Sequence, residues 1–337
     1  MTIKDLARLS GYSVGTVSRA LNGLPNVSEQ ARSAILALAQ ERGYQLNTNA
    51  KYLKQIHSSG IVAVVTGTSN ELFAQMIERI QQTLPTDRYP LTVDYVDENE
   101  DPVERALHLS REKKPAGLLF LGGDRRMYAG EITLPSVVLT TDAARLGFDN
   151  LSSVTTDDVE AAECAMEYLL ESGHRRIGVI AGDLSCSGPS RLRYEGCLLA
   201  LERCGLTLPD ECCATARYAF QDGYDAALRL LEQPGLTAIF AMSDVMAIGA
   251  MRALHDRGLR IPEDISVIGF DGLELGEFYT PKLTTIRQQA SLLVDRGVAL
   301  LLGTLERGAV ARHETVPFTL AVRESTSHPP RKDGTNS

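Results

Sequence analysis

The spacing of hydrophobic residues changes near residue 60 of this chain. Before that point, apolar residues recur at helical spacing in short stretches, the first of which holds Ile3, Leu6, Ala7 and Leu9. After it, short apolar runs typical of buried strands alternate with longer stretches typical of helices. The pattern predicts an all-α unit at the N-terminus and an α/β body after it.

The N-terminal stretch carries start and stop signals for two short helices. Thr2 is an N-cap candidate with Asp5 in the reciprocal position three residues later, and Gly11 ends the helix. Ser13 is the next N-cap candidate, for a helix over 14–21. A turn that contains glycine between two short helices indicates a helix-turn-helix, whose second helix lies in the major groove of DNA.

The second helix of this motif supplies many of the candidate DNA contacts, and the residues at the caps and in the following turn supply the others. Val17, Ala20 and Leu21 should face inward. Arg19 can donate to a guanine edge or to a phosphate, and the short polar side chains of this region can hydrogen-bond to phosphate oxygens. The same pattern also fits a helical hairpin that does not bind DNA. A third helix over 29–41 favours the DNA-binding interpretation. The candidate contacts are Thr2, Ser13, Val14, Gly15, Thr16, Ser18, Arg19, Asn22, Asn26 and Ser28.

Charge separates the two parts of the chain. Residues 1–54 hold seven Lys and Arg against three Asp and Glu, whereas the whole chain has a formal net charge of −9. A basic N-terminal unit on an acidic body fits a DNA-binding arm.

The body contains two sets of predicted strands. The strands cover 61–65, 91–96, 117–122, 136–141, 176–182, 238–242 and 265–271, and the helices between them cover 71–84, 102–113, 157–172, 190–204, 221–233 and 244–257. This alternation predicts two doubly wound parallel-sheet lobes. Because ligands bind at the carboxyl ends of parallel strands, we expect a small-molecule pocket between the lobes.

Seven residues just beyond strand ends are candidates for binding a small-molecule effector. Arginine and aspartate can bind hydroxyl groups, and aromatic rings offer flat faces to a sugar or a base. Phe73 and Tyr218 could equally be core residues, and Arg193 could simply pair with Asp244. The candidates are Ser69, Phe73, Thr141, Arg193, Tyr218, Asp244 and Asp271.

Few features of the chain point to an enzyme, a metal site or a membrane protein. The six Cys lack zinc-like spacing, the six His form no catalytic set, and His174 has the setting of a structural hydrogen bonder. The segment GGDRR lacks the spacing of a phosphate loop. No apolar run is long enough to span a bilayer, and no signal peptide is visible. We expect a cytoplasmic protein with reduced thiols, no cofactor and no metal.

Several segments resemble the LacI/GalR family of bacterial transcription regulators. They are IKDLARLSGYSVGTVSRALNG, VSEQAR, RGYQLN, ESGHRRIGVIAG, SRLRYEG, AMSDVMAIGAMRAL, GLRIPEDISVIGFDG and the run from YTPKLTTI, which together span nearly the whole chain. The resemblance implies a periplasmic-binding-protein-like body that binds an effector. It also implies a homodimer that reads a palindromic operator.

The resemblance also implies roles for individual residues. Segment 47–53 would form a hinge helix in which Leu53, one turn after Ala50, inserts into the minor groove of the operator. Without the resemblance, the simplest interpretation of Leu53 is an ordinary apolar linker residue. Leu46 stands where the family usually has proline. Phe73, Arg193, Tyr218 and Asp271 match positions that commonly contact effector. Thr140 stands where the family often has an acidic residue, and Asp142 lies two positions later.

The predicted organisation is a DNA-binding headpiece (1–45), a hinge and linker (46–59), a two-lobed effector-binding and dimerisation domain (60–326) and a disordered tail (327–337). The corresponding function is a transcriptional regulator, in the first instance a repressor, that responds to a sugar, sugar phosphate or nucleoside. A sugar-binding receptor with the same two lobes is the alternative; the headpiece and the absence of a visible signal peptide count against it. Release and tightening of DNA by the effector both remain open.

Overall fold

The computed structural model describes residues 2–21, 25–44, 60–67, 70–97, 100–123, 133–185 and 187–330. The chain divides into two compact units, Met1–His57 and Ser58–Ser337. No helix within these described ranges has both the length and the apolar character needed to cross a membrane.

The first unit contains three helices, α1 (Ile3–Ser10), α2 (Val14–Leu21) and α3 (Glu29–Glu41). Thr2 and Asp5 form the predicted capping box at the start of α1, and Gly11 ends that helix with φ +71°. Ser28 caps α3 by accepting from the Ala31 amide. These local signals fix the ends of the helices and so the angle at which each enters the unit.

Small and branched apolar side chains hold the three helices together. Leu6, Val17 and Ile35, one from each helix, are fully buried, and smaller residues fill the space around them. As predicted for the inward face of α2, Val17 and Ala20 are buried, and Leu21 is half-buried.

The second unit has two lobes, each built on a six-stranded sheet. Sheet 1 has the order β11-β5-β4-β3-β1-β2 and is parallel throughout. Its elements are β1 (Ile61–Thr66), α4 (Glu71–Thr83), β2 (Leu91–Val96), α5 (Pro102–Lys113), β3 (Gly117–Leu121), β4 (Ser136–Leu139), β5 (Leu151–Thr156), α11 (Ala290–Arg307) and β11 (His313–Val316).

Sheet 2 has the order β12-β10-β9-β8-β6-β7, in which β12 runs antiparallel to β10. Its lobe contains α6 (Asp158–Glu171), β6 (Ile177–Ala181), α7 (Pro189–Arg203), β7 (Cys213–Thr215), α8 (Phe220–Leu230), β8 (Ala238–Ala241), α9 (Asp244–Asp256), β9 (Ser266–Asp271), α10 (Leu275–Phe278), β10 (Thr284–Gln288) and β12 (Phe318–Ala321). The predicted doubly wound, two-lobed architecture is confirmed.

The chain passes between the lobes three times, each time through a single residue. Asp157 separates β5 from α6, Gln289 separates β10 from α11, and Pro317 separates β11 from β12. Because β5 neighbours β11 in sheet 1 and β10 neighbours β12 in sheet 2, the crossings lie side by side. Short parallel crossings of this kind form a hinge that permits one lobe to rotate against the other.

Several elements were not predicted from the hydrophobic pattern. Strand β5 has the sequence LSSVTT, which looks polar, yet all six residues are buried. Its hydroxyls bond to the backbone nearby: Ser153 accepts from the Ala143 amide and Ser152 from the Arg312 amide. Strands β7, β10, β11 and β12 and helix α11 were also missed. Strand β4 ends at Leu139, earlier than expected, because Thr140 adopts φ +70°.

The residues that begin the expected disordered tail are bound to the second lobe. The Ser327 amide donates to Ser266 Oγ, and His328 Nδ1 lies 2.8 Å from the Ser172 carbonyl oxygen. His174 is buried, with Nε2 2.9 Å from the Ser327 carbonyl oxygen and Nδ1 2.9 Å from Thr237 Oγ1. The packed chain thus extends beyond 326, and His174 has the structural role that its setting suggested.

Candidate functional site

The second helix of the first unit presents its N-terminal turn to solvent. Val14 is 43% exposed, and Gly15 and Arg19 are exposed beside it. Ser13 Oγ caps this turn by accepting from the Thr16 amide at 3.1 Å, and it lies 2.9 Å from Thr16 Oγ1. The exposed face therefore combines one guanidinium, methyl groups and hydroxyls, which are the groups that read base edges and phosphates.

Helix α3 is bonded to the last turn of α2 and begins after a short described turn. Arg32 Nη1 donates to the Ala20 carbonyl oxygen at 3.3 Å, and the exposed Asn26 adopts φ +68° before the Ser28 cap. Thr2 is exposed at the start of α1. The other predicted contacts Asn22, Ala50, Leu53 and, in the body, Ser69 lie outside the described residues.

A cleft lies between the lobes at the carboxyl ends of the parallel strands. One part of it has a volume of about 220 Å³, including open solvent. The first lobe contributes hydroxyl groups and a carboxylate, and the second lobe contributes the start of α7 and a carboxylate from the start of α6. The lining residues are Thr140, Thr141, Asp142, Asp158, Ser187, Gly188, Pro189 and Leu192.

Arg193 is buried at the centre of a charged network beside this cleft. Its Nε donates to Asp158 Oδ1 at 2.7 Å and its Nη1 to the Met242 carbonyl oxygen at 2.6 Å. Nη1 also lies 3.7 Å from Asp271 Oδ1. The guanidinium carbon sits 3.6 Å from the centroid of the Phe270 ring, which supports the plane of the group from one side. The network thus holds one cation and two carboxylates in fixed positions.

Asp271 ends strand β9 in a conformation that few residues other than glycine adopt, with φ +115°. Its Oδ1 accepts from Gln288 Nε2 at 2.8 Å. Burial raises the pKa of Asp271 to about 6, although Arg193 and Gln288 act in the opposite direction. Burial likewise raises the pKa of Asp158. A strained backbone and an uncommonly basic carboxyl group at a strand end are typical of a functional site.

The half-buried Tyr218 faces the start of α7. Its hydroxyl lies 2.7 Å from Ser190 Oγ, and burial raises its pKa. Gly182 makes this pair possible, since a Cβ at that position would lie 2.3 Å from Ser190 Oγ. Tyr218 therefore lies beside the start of α7, whose first residues line the cleft.

Asp244 must be withdrawn from the predicted effector contacts. It is fully buried, and both carboxylate oxygens are occupied: Oδ1 accepts from Thr285 Oγ1 and Oδ2 from the Leu273 amide, each at 2.6 Å. Burial and the nearby charge of Asp271 hold its pKa well above the usual range. Asp244 ties α9 to the loop that follows Asp271, and Arg193 pairs with Asp158 and Asp271 instead.

Phe73 and Thr141 are both largely buried. Phe73 belongs to the core of the first lobe, and a Cβ on Gly122 would lie 2.8 Å from its ring. Thr141 Oγ1 donates to the Gly123 carbonyl oxygen at 3.2 Å. Asp142 lines the cleft, and its Oδ1 accepts from the Ala144 amide.

Two important members of the site were not predicted. Asp158 follows β5 and Gln288 ends β10, and neither strand was recognised from the apolar pattern. The adjacent acidic pair Asp157–Asp158 after a run of buried hydroxyl residues was the available signal, because Asp157 caps α6 and directs Asp158 inward. In the described part of the chain, no group of three His, Cys, Asp or Glu could hold a metal ion.

The buried carboxyl of Asp271 gives a prediction about pH. Its folded-state pKa of about 6 exceeds the usual 3.8, so the native state binds the extra proton. This contribution to stability, up to about 3 kcal/mol, is present below pH 4 and is lost as the pH rises through 6. We expect urea denaturation between pH 4 and 7.5 to show that Asp271→Asn loses less stability with rising pH than the parent. Parallel curves would contradict the assignment.

Two family models match the chain. The description "Bacterial regulatory proteins, lacI family" matches residues 2–47, and "Periplasmic binding protein-like domain" matches residues 166–326. The first match covers the helix-turn-helix unit. The second covers most of the lobe that holds Arg193 and Asp271.

Curated relatives align along almost the whole length. The HTH-type transcriptional regulator MalR of Clostridium butyricum is 31% identical over 332 residues, which is 96% of this chain and 99% of that protein. The ribose operon repressor of Escherichia coli K12 is 33% identical over 89% of this chain and 92% of that protein.

Among solved structures, a lac repressor dimer bound to operator and the anti-inducer ONPF matches with a TM-score of 0.80 and 27% identity, over 97% of this chain and 99% of that chain. The two curated relatives are named as a transcriptional regulator and an operon repressor. The chain is a transcriptional regulator that belongs to the LacI family of bacterial regulatory proteins.

Proposed function

We propose that this protein is a homodimeric, cytoplasmic repressor that binds a palindromic operator through the first unit and releases it when a small molecule occupies the interlobe cleft. The observation that carries the proposal is the Arg193–Asp158–Asp271 network. Asp158 follows β5 and lines the cleft, Asp271 ends β9, and Arg193 pairs with both beside the cleft. The names of the relatives as repressors support the direction of regulation.

On the DNA side, the proposed contacts are the exposed groups of α2 and of the turn after it. Arg19 supplies the direct readout of a base or phosphate, and Val14 offers methyl contacts. The hydroxyls of Ser13, which caps the helix, and of Thr16, which is hydrogen-bonded to it, position the backbone of the operator. Since Val14 and Gly15 carry few hydrogen-bonding groups, DNA shape contributes to recognition.

On the effector side, the proposed contacts are Arg193, Asp271, Tyr218, Thr141 and the edge of Phe73. Closure of the lobes on a ligand changes the angle between them and is coupled to operator affinity by about 1–3 kcal/mol. We assign the protein no catalytic role. Its relatives are named as regulators.

For the dimer, we propose an interface that includes helix α10. Phe278 is 77% exposed and Leu275, one turn earlier, is 36% exposed. Two large apolar side chains on one short exposed helix are typical of a surface that a partner covers. The lac repressor is a dimer on its operator, and a second copy of this chain is the partner that the proposed palindromic site requires.

Replacing Phe278 with Asp should therefore dissociate the dimer. Burying an aspartate in place of a phenylalanine at such a surface costs about 2–4 kcal/mol, which corresponds to a 30- to 1,000-fold weaker dimer. Sedimentation velocity at micromolar concentration measures the change. Val310→Asp is the matched control, because Val310 is 72% exposed on the other lobe and should leave the dimer intact. Equal dissociation constants for the parent and Phe278→Asp would rule out this surface.

The proposed function is tested by two measurements on one preparation. Thermal unfolding against sugars, sugar phosphates, nucleosides and purines identifies ligands of the folded state, because such ligands raise the midpoint. Each ligand that does so is then added to a complex of the protein with an operator fragment selected from random duplexes. Release of that fragment is the expected result. A protein that selects no DNA sequence would contradict the repressor assignment and favour the two-lobed receptor.

A further inference from the structure

Helix α10 buries no apolar side chain of its own. Of its four residues, only Gly276 is buried, whereas Leu275 is 36% exposed and Phe278 is 77% exposed. A single helical turn is not stable in water, and most helices in proteins are held by the burial of an apolar face. Because α10 presents its apolar side chains to solvent, other contacts must fix its position on the second lobe.

Glu277 is the only residue of α10 with a polar side chain, and it binds two arginines. Its Oε1 accepts from Arg323 Nη2 at 2.6 Å and also from Arg287 Nη2. Hydrogen bonds between ionised groups are stronger than those between neutral groups. Glu277 therefore joins the helix to two separate segments of the second lobe, strand β10 and the stretch that follows β12.

Arg323 is itself fixed in place. Its side chain is 11% exposed, Nη1 donates to the Leu283 carbonyl oxygen at 2.8 Å, and the backbone amide donates to Thr284 Oγ1 at 2.9 Å. Helix α10 lies close to this guanidinium, since a Cβ on Gly276 would be 3.6 Å from Arg323 Nη1. Arg323 thus provides a fixed support to which Glu277 attaches the helix.

Arg287 attaches the helix to the strand that leads into the hinge. It lies in β10, two residues before the crossing at Gln289. The loop before α10 packs directly on this part of the strand, because a Cβ on Gly272 would lie 2.6 Å from Arg287 Cα. The side chain of Arg287 is 42% exposed and reaches Glu277 at the surface. The orientation of α10 is therefore set against the end of β10.

We propose that Glu277 is a positioning residue for dimerisation, which holds α10 through Arg287 and Arg323. In that orientation, Leu275 and Phe278 meet a second copy of the chain. An exposed ion pair contributes little to the stability of a fold, so we expect Glu277 to affect the affinity of the dimer far more than unfolding. This inference rests on the proposed function, which places α10 in the dimer interface.

Replacing Glu277 with alanine removes both bonds and should weaken the dimer about tenfold, as measured by sedimentation velocity over a dilution series. Glu277→Gln retains an oxygen that can accept and should weaken it by only about threefold. Adding Arg287→Met to Glu277→Ala should cause no further loss, because both changes remove one contact. Glu167→Gln is the matched control, since Glu167 is also 43% exposed and pairs with Arg203 elsewhere on the same lobe.

A monomeric background separates positioning from folding. In the Phe278→Asp protein, adding Glu277→Ala should move the midpoint of thermal unfolding by no more than about 2 °C. A fall of more than about 5 °C would mean that Glu277 supports the fold of the second lobe, and would overturn the positioning role.

Failure of this inference can be distinguished from failure of the proposed interface. If Phe278→Asp dissociates the dimer and Glu277→Ala dimerises as tightly as the parent, the positioning role is wrong and the interface stands. If neither variant changes the dissociation constant, α10 does not contact the partner and both proposals are wrong. Equal weakening by Glu277→Ala and Glu167→Gln would also reject the positioning role, because the loss would then follow from net charge alone.

Discussion

Replacing Arg19 and Val14 together with alanine should abolish operator recognition while the body remains able to bind ligand. Arg19 is the exposed guanidinium of α2, and Val14 is the large apolar side chain at its exposed N-terminal turn. Loss of a base or phosphate contact costs about 1–3 kcal/mol in each headpiece, and a dimer loses it twice. We expect operator affinity to fall by at least 100-fold in fluorescence anisotropy.

The salt dependence of the residual binding tells which role Arg19 has. If Arg19 binds a phosphate, the slope of log affinity against log salt falls, whereas a base contact leaves the slope unchanged and relaxes the sequence preference. Arg42→Ala is the matched control, because it removes one exposed arginine that pairs with Glu41 at the far end of α3. Undiminished operator affinity of the Arg19→Ala, Val14→Ala protein would refute the headpiece assignment.

Replacing Arg193 with methionine should produce the largest loss of stability of any variant considered. The substitution keeps an apolar side chain over Phe270 but leaves Asp158 and Asp271 buried without their cation. Breaking a buried pair by removing one partner costs about 3–5 kcal/mol. We expect a correspondingly lower urea midpoint and no response to the ligand that stabilises the parent.

A triple variant separates the structural role of Arg193 from its binding role. Adding Asp158→Asn and Asp271→Asn to Arg193→Met removes the unpaired charges and should recover most of the lost stability. Ligand binding should not return, because the guanidinium donors are gone and the carboxylates have become amides. Recovery of the ligand response in the triple variant would mean that the network only supports the fold. Arg193→Lys is informative in addition, since it retains the charge without the planar donor group.

The fold of both units could be predicted from the sequence because the signals for their helices and strands are local. Caps at Thr2, Ser13 and Ser28 and the apolar stripe of α2 predict the headpiece almost residue by residue, and strand and helix alternation predicts two parallel lobes. Strand β5 was missed because its buried side chains are hydroxyl groups, whose backbone hydrogen bonds offset the cost of burial. Such partners are invisible in a hydrophobicity pattern.

The site was predictable only in part for the same reason. Asp271 ends the apolar strand β9, as its position after an apolar run indicates, whereas Arg193 lies inside the first turns of α7. Asp244 occupies an equally suggestive position after β8 but turns inward to Thr285 and the Leu273 amide. A sequence gives the position of a polar residue along a strand, whereas its partners depend on segments forty residues away.

The three single-residue crossings have a consequence for how the chain is made. The first lobe needs residues 60–156 together with 290–316, and the second lobe needs the stretch after Pro317 to complete its sheet. During synthesis, the headpiece emerges first and contains all the residues of its own core. Sheet 1 is completed much later, because more than 150 residues separate the end of β5 from β11, the strand that pairs with its edge. Premature termination should therefore yield a folded DNA-binding headpiece attached to a body with an open sheet edge, a product that is prone to aggregate.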